Sequence, residues 1–171
     1  MVPLLAFSAW SGTGKTSLLL QLIPLLNDAG IRPGLIKHTH HDMDVDTPGK
    51  DSYRLRKAGA AQTLVASQQR WALMTETPEQ QELDLYYLAS RMDASSLDII
   101  LVEGFKHEAV PKVLLYRAAA GHPLSDLTLD EHTVAVISDT PINNSSVPVI
   151  GFNDLDAIVA FIGGWLEKRK I

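Results

Sequence analysis

Residues 4–20 read LLAFSAWSGTGKTSLLL. An apolar run of strand length passes into a glycine-bearing turn, and Gly14-Lys15-Thr16 opens a leucine-rich stretch of helical length. Strand, glycine turn and helix in that order are the parts of a P-loop. Glycines let the backbone curl so that its N–H groups face phosphate oxygens, and the helix N-terminus adds partial positive charge. Ala9, Trp10, Ser11, Gly12, Thr13, Gly14, Lys15, Thr16 and Ser17 are therefore the expected phosphate-binding residues. Lys15 is placed to reach the β- and γ-phosphates, and the Thr16 hydroxyl to ligate Mg²⁺. With glycine near 7% of residues, a Gly-x-Gly-Lys-Thr/Ser string arises by chance in fewer than about one chain of this length in a hundred. One position departs from the G-x-x-x-x-G-K-[ST] pattern, since Ala9 stands at the first glycine. A helix start with glycine capping and an exposed lysine is the alternative for this stretch.

Outward from the loop, apolar strand-length runs alternate with helical patterns. "GLIK" at Gly34–Lys37 follows the first helix, "LDIILVEG" lies at Leu97–Gly104, and "KVLLY", "TVAVIS" and "VPVIG" begin at Lys112, Thr133 and Val147. Such alternation predicts βαβ units around a parallel sheet. Ile99–Val102 are four consecutive aliphatic residues, which a strand covered on both faces requires, so this strand is placed centrally. The first helix contains Pro24, where a kink is expected, and ends at Gly30. A short helix is expected over Ser52–Ala58, a hairpin turning at Ser67–Gln69, and an amphipathic helix over Pro78–Arg91. Asn153 is the expected cap of a last helix whose stripe is Leu155, Ile158, Val159, Ile162, Trp165 and Leu166. The fold class expected is α/β, a three-layer P-loop domain of 171 residues with a mainly parallel central sheet. A small β extension is expected around 62–75 and 107–122, where the repeat is less regular.

Composition narrows the function. A formal net charge of −5 disfavours a general electrostatic grip on nucleic acid or an anionic membrane. The absence of cysteine excludes disulfides, thiolate metal sites and a cysteine nucleophile, and is compatible with the cytoplasm. The uncharged stretch Met1–Gly14 fits neither a secretory signal nor a membrane span, so no export is expected.

Further candidates surround the loop. Glu103, followed by Gly104, ends the buried run at the carboxyl end of a central strand, where open α/β sheets bind ligands. It is placed to hold Mg²⁺ through water or to position the attacking water; an exposed acid balanced by Lys106 is the alternative. Asp98, at the other end of that strand, reads as a solvated turn residue. The polar loop from His38 to Asp51 follows Lys37 and carries Asp44 and Asp46. Asp46 is the preferred switch acid toward the γ-phosphate and metal, with Asp44 next. His38, His40 and His41 invite a zinc reading, but contact with an anionic ligand or a protonation switch fits adjacent loop histidines better. Asp139, just past a strand, could accept from the N1 and N2 donors of guanine; an Asp-Thr-Pro turn explains it equally well.

With these residues assembled, the chain resembles the MobB family, the molybdopterin-guanine dinucleotide biosynthesis adaptor proteins among the P-loop GTPases. The resemblance rests on "WSGTGKTSLL", on the long stretch from Gly30 to Glu76 and on "LDIILVEGFKHE". It implies GTP and Mg²⁺ binding, slow hydrolysis, a homodimer, and cooperation with the guanylyltransferase that attaches GMP to molybdopterin. Guanine over adenine rests on the resemblance. The rival readings are an ATP-dependent small-molecule kinase, whose arginine-rich lid is not evident in the dispersed Arg54, Arg56, Arg70 and Arg91, and a non-catalytic module holding a cofactor's pyrophosphate.

Overall fold

A computed structural model describes residues 1–39, 43–79, 82–105 and 107–169. The chain divides into two compact units, residues 1–38 with 84–171, and residues 39–83.

In the first unit, strands β1 (Leu4–Ser8), β2 (Pro33–Lys37), β5 (Ile99–Glu103), β6 (Lys112–Tyr116), β7 (Thr133–Ser138) and β8 (Val149–Gly151) form one sheet in the order β2-β5-β1-β6-β7-β8. Every neighbouring pair is parallel. Alternation along β1 and β5 explains the layers. Leu5, Phe7, Ile99 and Leu101 face α1 (Lys15–Asp28) and α4 (Leu155–Glu167), packing with Leu18, Leu22, Ile158 and Ile162. Leu4, Ala6, Ile100 and Val102 face the other way, onto Leu85 and Ala89 of α3 (Leu85–Ser90). The three-layer α/β expectation holds, and β5 is buried along its whole length, as its unbroken aliphatic run requires.

Four local expectations are corrected. The segment 107–122 is no extension: it supplies β6, which Lys112–Leu114 register against β1. The helix expected over Pro78–Arg91 is only Leu85–Ser90, started by Asp84, whose carboxylate accepts from the Tyr87 N–H at 3.0 Å. Leu83, which the apolar spacing counted in, is exposed before that cap. The last helix is capped by Asp154 rather than Asn153, through the Ala157 N–H at 3.1 Å. Asp98 is no mere turn residue, because both its oxygens take Arg32, at 2.9 and 3.1 Å, joining the starts of β2 and β5. Helix α1, meanwhile, continues through Pro24 without a break.

Asp154→Ala is expected to cost about 0.5–2 kcal/mol. Thermal unfolding should show this as a midpoint a few degrees lower, whereas Asn153→Ala should leave it unmoved.

The second unit holds α2 (Asp51–Lys57) and the antiparallel hairpin of β3 (Gln62–Ala66) and β4 (Trp71–Thr75). The hairpin expected over 62–75 is present, and its turn is closed by the Ser67 hydroxyl, which accepts from the Gln69 and Arg70 N–H groups. Its centre is Arg56, buried on a short helix. The guanidinium donates to Glu76 at 2.8 Å, Asp44 at 2.6 Å and Asp46 at 2.8 Å.

Candidate nucleotide-binding site

Because all six strands run parallel, their carboxyl ends share one edge, and the candidate residues gather there. Phe7 of β1 registers with Glu103 of β5, and Glu103 with Lys37 of β2. Tyr116, Ser138 and Gly151 are registered across β6, β7 and β8. The loop Ala9–Gly14 leaves β1 at this edge, beside the point where the chain departs to β2 on one side and β6 lies on the other.

The loop has the backbone that the sequence called for. Gly12 and Gly14 take φ of 80° and 93°, a region that costs other residues about 1–2 kcal/mol. Gly14 is the cap residue of α1, whose first-turn amides face the edge, and its carbonyl accepts from Leu18 at 2.9 Å. Thr13 is fully buried, and its hydroxyl finds no partner among the described residues.

Glu103 is the hub of one flank. The Thr16 hydroxyl donates to its Oε1 at 3.3 Å, Lys15 Nζ lies 3.8 Å from the same oxygen, and Lys37 Nζ lies 3.6 Å from Oε2. The sequence placed these four residues separately; the structure brings them together. The cations that balance Glu103 are thus Lys15 and Lys37, while Lys106 lies outside the described residues. Gly104 follows at φ 110°, and a Cβ there would meet the His38 Cβ at 2.8 Å and the His38 carbonyl at 3.1 Å. That contact seats the end of β2, where the His38 N–H donates to the Glu103 carbonyl at 2.8 Å.

Asp139 directly follows β7, and its Oδ1 accepts from the Ala118 N–H and the Thr140 hydroxyl, each at 3.0 Å. Its carboxylate therefore ties the end of β7 to the chain leaving β6. Asp46 belongs to the second unit, where its hydrogen-bond and ion-pair partner is Arg56. His38 packs its ring against Phe105 with centroids 5.1 Å apart, while His40 and His41 lie outside the described residues. Among the described residues no three His, Asp or Glu side chains are placed to share a metal ion.

Two groupings were not visible in the sequence. One is the Arg56 cluster, whose acids lie 10, 12 and 20 positions from it. Hydrogen bonding to Arg56, then attraction from Lys57, holds the Asp44 carboxyl below its ordinary value, against the opposing effect of desolvation. A depressed folded-state pKa adds stability that is present above the unfolded value of about 3.9 and is lost as the pH falls below it. Protection of the α2 amides against hydrogen exchange should accordingly hold from neutral pH to about 4 and fall at lower pH. Unchanged protection factors at pH 3 would show that the Asp44 carboxylate does not stabilise this unit.

The other grouping is Arg117. It directly follows β6, and its guanidinium lies over the Phe152 ring at 4.0 Å. A Cβ on Gly14 would stand 3.2 Å from its Nη1. The only sequence signal was its place after a strand.

Comparison with known proteins decides the family. The model of molybdopterin guanine dinucleotide synthesis protein B matches residues 4–139. The chain belongs to that family. The molybdopterin-guanine dinucleotide biosynthesis adapter protein of Escherichia coli is 64% identical over 170 residues, covering 99% of this chain and 97% of the relative. The adapter protein of Haemophilus influenzae is 44% identical, covering 97% and 90%. Among solved structures, molybdopterin-guanine biosynthesis protein B superposes with a TM-score of 0.72 at 20% identity, over 95% of this chain and 99% of that one. The MobB homologue of Bacillus stearothermophilus gives 0.71 at 23% identity, covering 96% and 98%. The MobB fold thus covers nearly the whole of this chain. Among the described residues no helix is long and apolar enough to cross a membrane.

Proposed function

We propose that this MobB-family chain is an adapter in molybdopterin guanine dinucleotide biosynthesis that binds GTP with Mg²⁺ at the Ala9–Ser17 loop, hydrolyses it slowly, and assists the guanylyltransferase that joins GMP to molybdopterin. The observation that carries the nucleotide reading is the convergence of Lys15, Thr16 and Lys37 on Glu103 beside the glycine-bent loop. The adapter role is supported by the relatives' names and by the coverage they share with this chain.

The residues fit the ligands. The curled loop and the first turn of α1 offer amide donors to phosphate, and the unpartnered Thr13 hydroxyl lies within that loop. The Thr16 hydroxyl and the Glu103 carboxylate, 3.3 Å apart, are the hard oxygen donors Mg²⁺ takes, which commonly uses one or two protein oxygens together with phosphates and water. When bound, Mg²⁺ neutralises charge on the phosphates. Lys15 would add a second positive charge on that flank, and Glu103 would hold the metal through water or position the attacking water. Among the described residues Lys15, Lys37 and Thr16 reach Glu103, and no arginine or glutamine does. Those groups are worth about 10³–10⁵ in rate elsewhere, so turnover by the chain alone is slow. Asp46 remains the switch acid of this proposal, its Oδ1 held by Arg56 within its own unit. Leu64, Val65 and Trp71 leave the hairpin's apolar surface exposed, which supports a second copy covering it as a homodimer.

Calorimetric titration of the Mg²⁺-loaded protein with a non-hydrolysable GTP analogue and its ATP counterpart tests the reading. Binding that favours guanine supports it; binding that favours adenine points to a kinase, and an absence of binding to either removes the nucleotide from the adapter role.

A further inference from the structure

Glu103 and Arg117 stand on opposite flanks of the loop. β5 pairs with one side of β1 and carries Glu103, whereas β6 pairs with the other side and leads directly into Arg117. On the β6 flank, Arg117 and Phe152 line a cavity of about 130 Å³ together with Ser17, Gln21 and Asn153. The cavity begins at the first turn of α1, one residue past Thr16, so it adjoins the phosphate loop on the side away from Glu103.

We propose that Arg117 is the residue that selects guanine, by presenting its guanidinium fork to the O6 and N7 acceptors of the base. The proposal rests on the nucleotide reading above and deepens it. Three observations carry it. Arg117 is partly buried, and among the described residues no carboxylate pairs with it; its guanidinium lies over the Phe152 ring at 4.0 Å. A partly desolvated cation without an acid is a donor set waiting for an acceptor. Next, it is packed, because the Phe152 ring lies 4.0 Å from the guanidinium and a Cβ added at Gly14 would stand 3.2 Å from its Nη1. Last, the cavity lining contains no acid, and its polar side chains are the Arg117 fork, the Gln21 and Asn153 amides and the Ser17 hydroxyl.

Such a lining distinguishes purines. Guanine shows two adjacent acceptors, O6 and N7, which an arginine fork meets with two hydrogen bonds; adenine sets an amino donor in place of O6 and faces the cation with the wrong polarity. Asp139 acts here also as a positioning residue: its Oδ1 accepts from the N–H of Ala118 and so fixes the backbone next to Arg117.

The test titrates the Mg²⁺-loaded protein, Arg117→Ala and Arg117→Lys with three probes: a non-hydrolysable GTP analogue, its ATP counterpart and inorganic tripolyphosphate. The unaltered protein should prefer the guanine analogue by about 5- to 150-fold, the span expected of one good bidentate pair. Arg117→Ala should bring the two nucleotides within about threefold while leaving tripolyphosphate within about twofold of its original affinity. Arg117→Lys keeps the charge but not the fork, and should lose most of the preference as well. Thermal unfolding confirms that the variants are folded, and the lysine form serves if the alanine form is not. Retention of the guanine preference by a folded variant overturns the assignment while leaving nucleotide binding intact. Equal weakening of tripolyphosphate and GTP overturns it too, by making Arg117 a phosphate cation. Failure of the unaltered protein to bind any of the three probes overturns the nucleotide reading itself, and this inference with it.

Discussion

Replacement of Lys15 by alanine is expected to weaken Mg²⁺·GTP binding by about 30- to 1,000-fold, the range that corresponds to losing one partner of a largely desolvated charge pair. Lys15 is four-fifths buried on its side chain and directed to the Glu103 flank, 3.8 Å from Oε1. Removing it leaves the phosphate groups facing a carboxylate with one cation fewer, so the loss exceeds that of a surface lysine. The fold should survive, because Glu103 keeps Lys37 at 3.6 Å and the Thr16 hydroxyl at 3.3 Å. Calorimetry reads the affinity, and thermal unfolding in the absence of nucleotide checks the fold. A Lys15→Ala protein that binds Mg²⁺·GTP as tightly as its parent would show that the loop is not where phosphate is held. Arginine at this position keeps the charge but adds a planar fork to a site shaped for a point charge, and should recover only part of the affinity.

Gly104→Ala is expected to have the largest effect on stability, about 2–5 kcal/mol, composed of a backbone held at positive φ and an overpacked contact. The φ of 110° is already unfavourable for alanine, and the added methyl would sit 2.8 Å from the His38 Cβ and 3.1 Å from the His38 carbonyl. The second neighbour is backbone, so no rotamer change relieves it. Relief requires β2 and β5 to part where Lys37 meets Glu103. The thermal midpoint should fall by roughly 4–20 °C, taking about 2–4 °C per kcal/mol for a chain of this size. Nucleotide affinity should fall with it, since the Lys37–Glu103 contact is at the displaced end. By contrast Gly30→Ala, at a φ of 78° with nothing within 4 Å, carries the backbone strain without the collision and should cost less. Equal midpoints for the two variants would mean that the His38 contact is not a constraint.

How far residues announce their structure depends on whether a local pattern carries the information. The P-loop is local: glycine spacing, a lysine and a hydroxyl within one turn are enough to place Gly12, Gly14, Lys15 and Thr16. β5 is also local, because an unbroken aliphatic run has few uses other than a strand covered on both faces. The amphipathic reading of Pro78–Arg91 failed through a local competitor, Asp84, whose side chain starts the helix later than the apolar spacing suggests. Arg56 and Arg117 were hidden for a different reason. Arg56 looks like a solvated helix residue until Asp44 and Asp46 from one side of the sequence and Glu76 from the other close on it, and Arg117 is followed by three alanines with no motif around it. Their roles are set by contacts across the chain, Phe152 being 35 positions from Arg117 by their numbering, and spacing alone does not encode such contacts.

The strand order has a consequence for how the molecule is made. β1 and β2 leave the ribosome first but are not neighbours; β5 lies between them and pairs with both. Until residue 103 has emerged, neither early strand has its partner, and the apolar stretch Leu4–Phe7 has no sheet to join. The 39–83 unit, whose hairpin partners are adjacent in sequence, is free of that delay. A nascent chain therefore completes its inserted unit before its glycine loop is framed. Synthesis halted just short of β5 would leave an ordered hairpin attached to an unpaired, aggregation-prone amino-terminal segment.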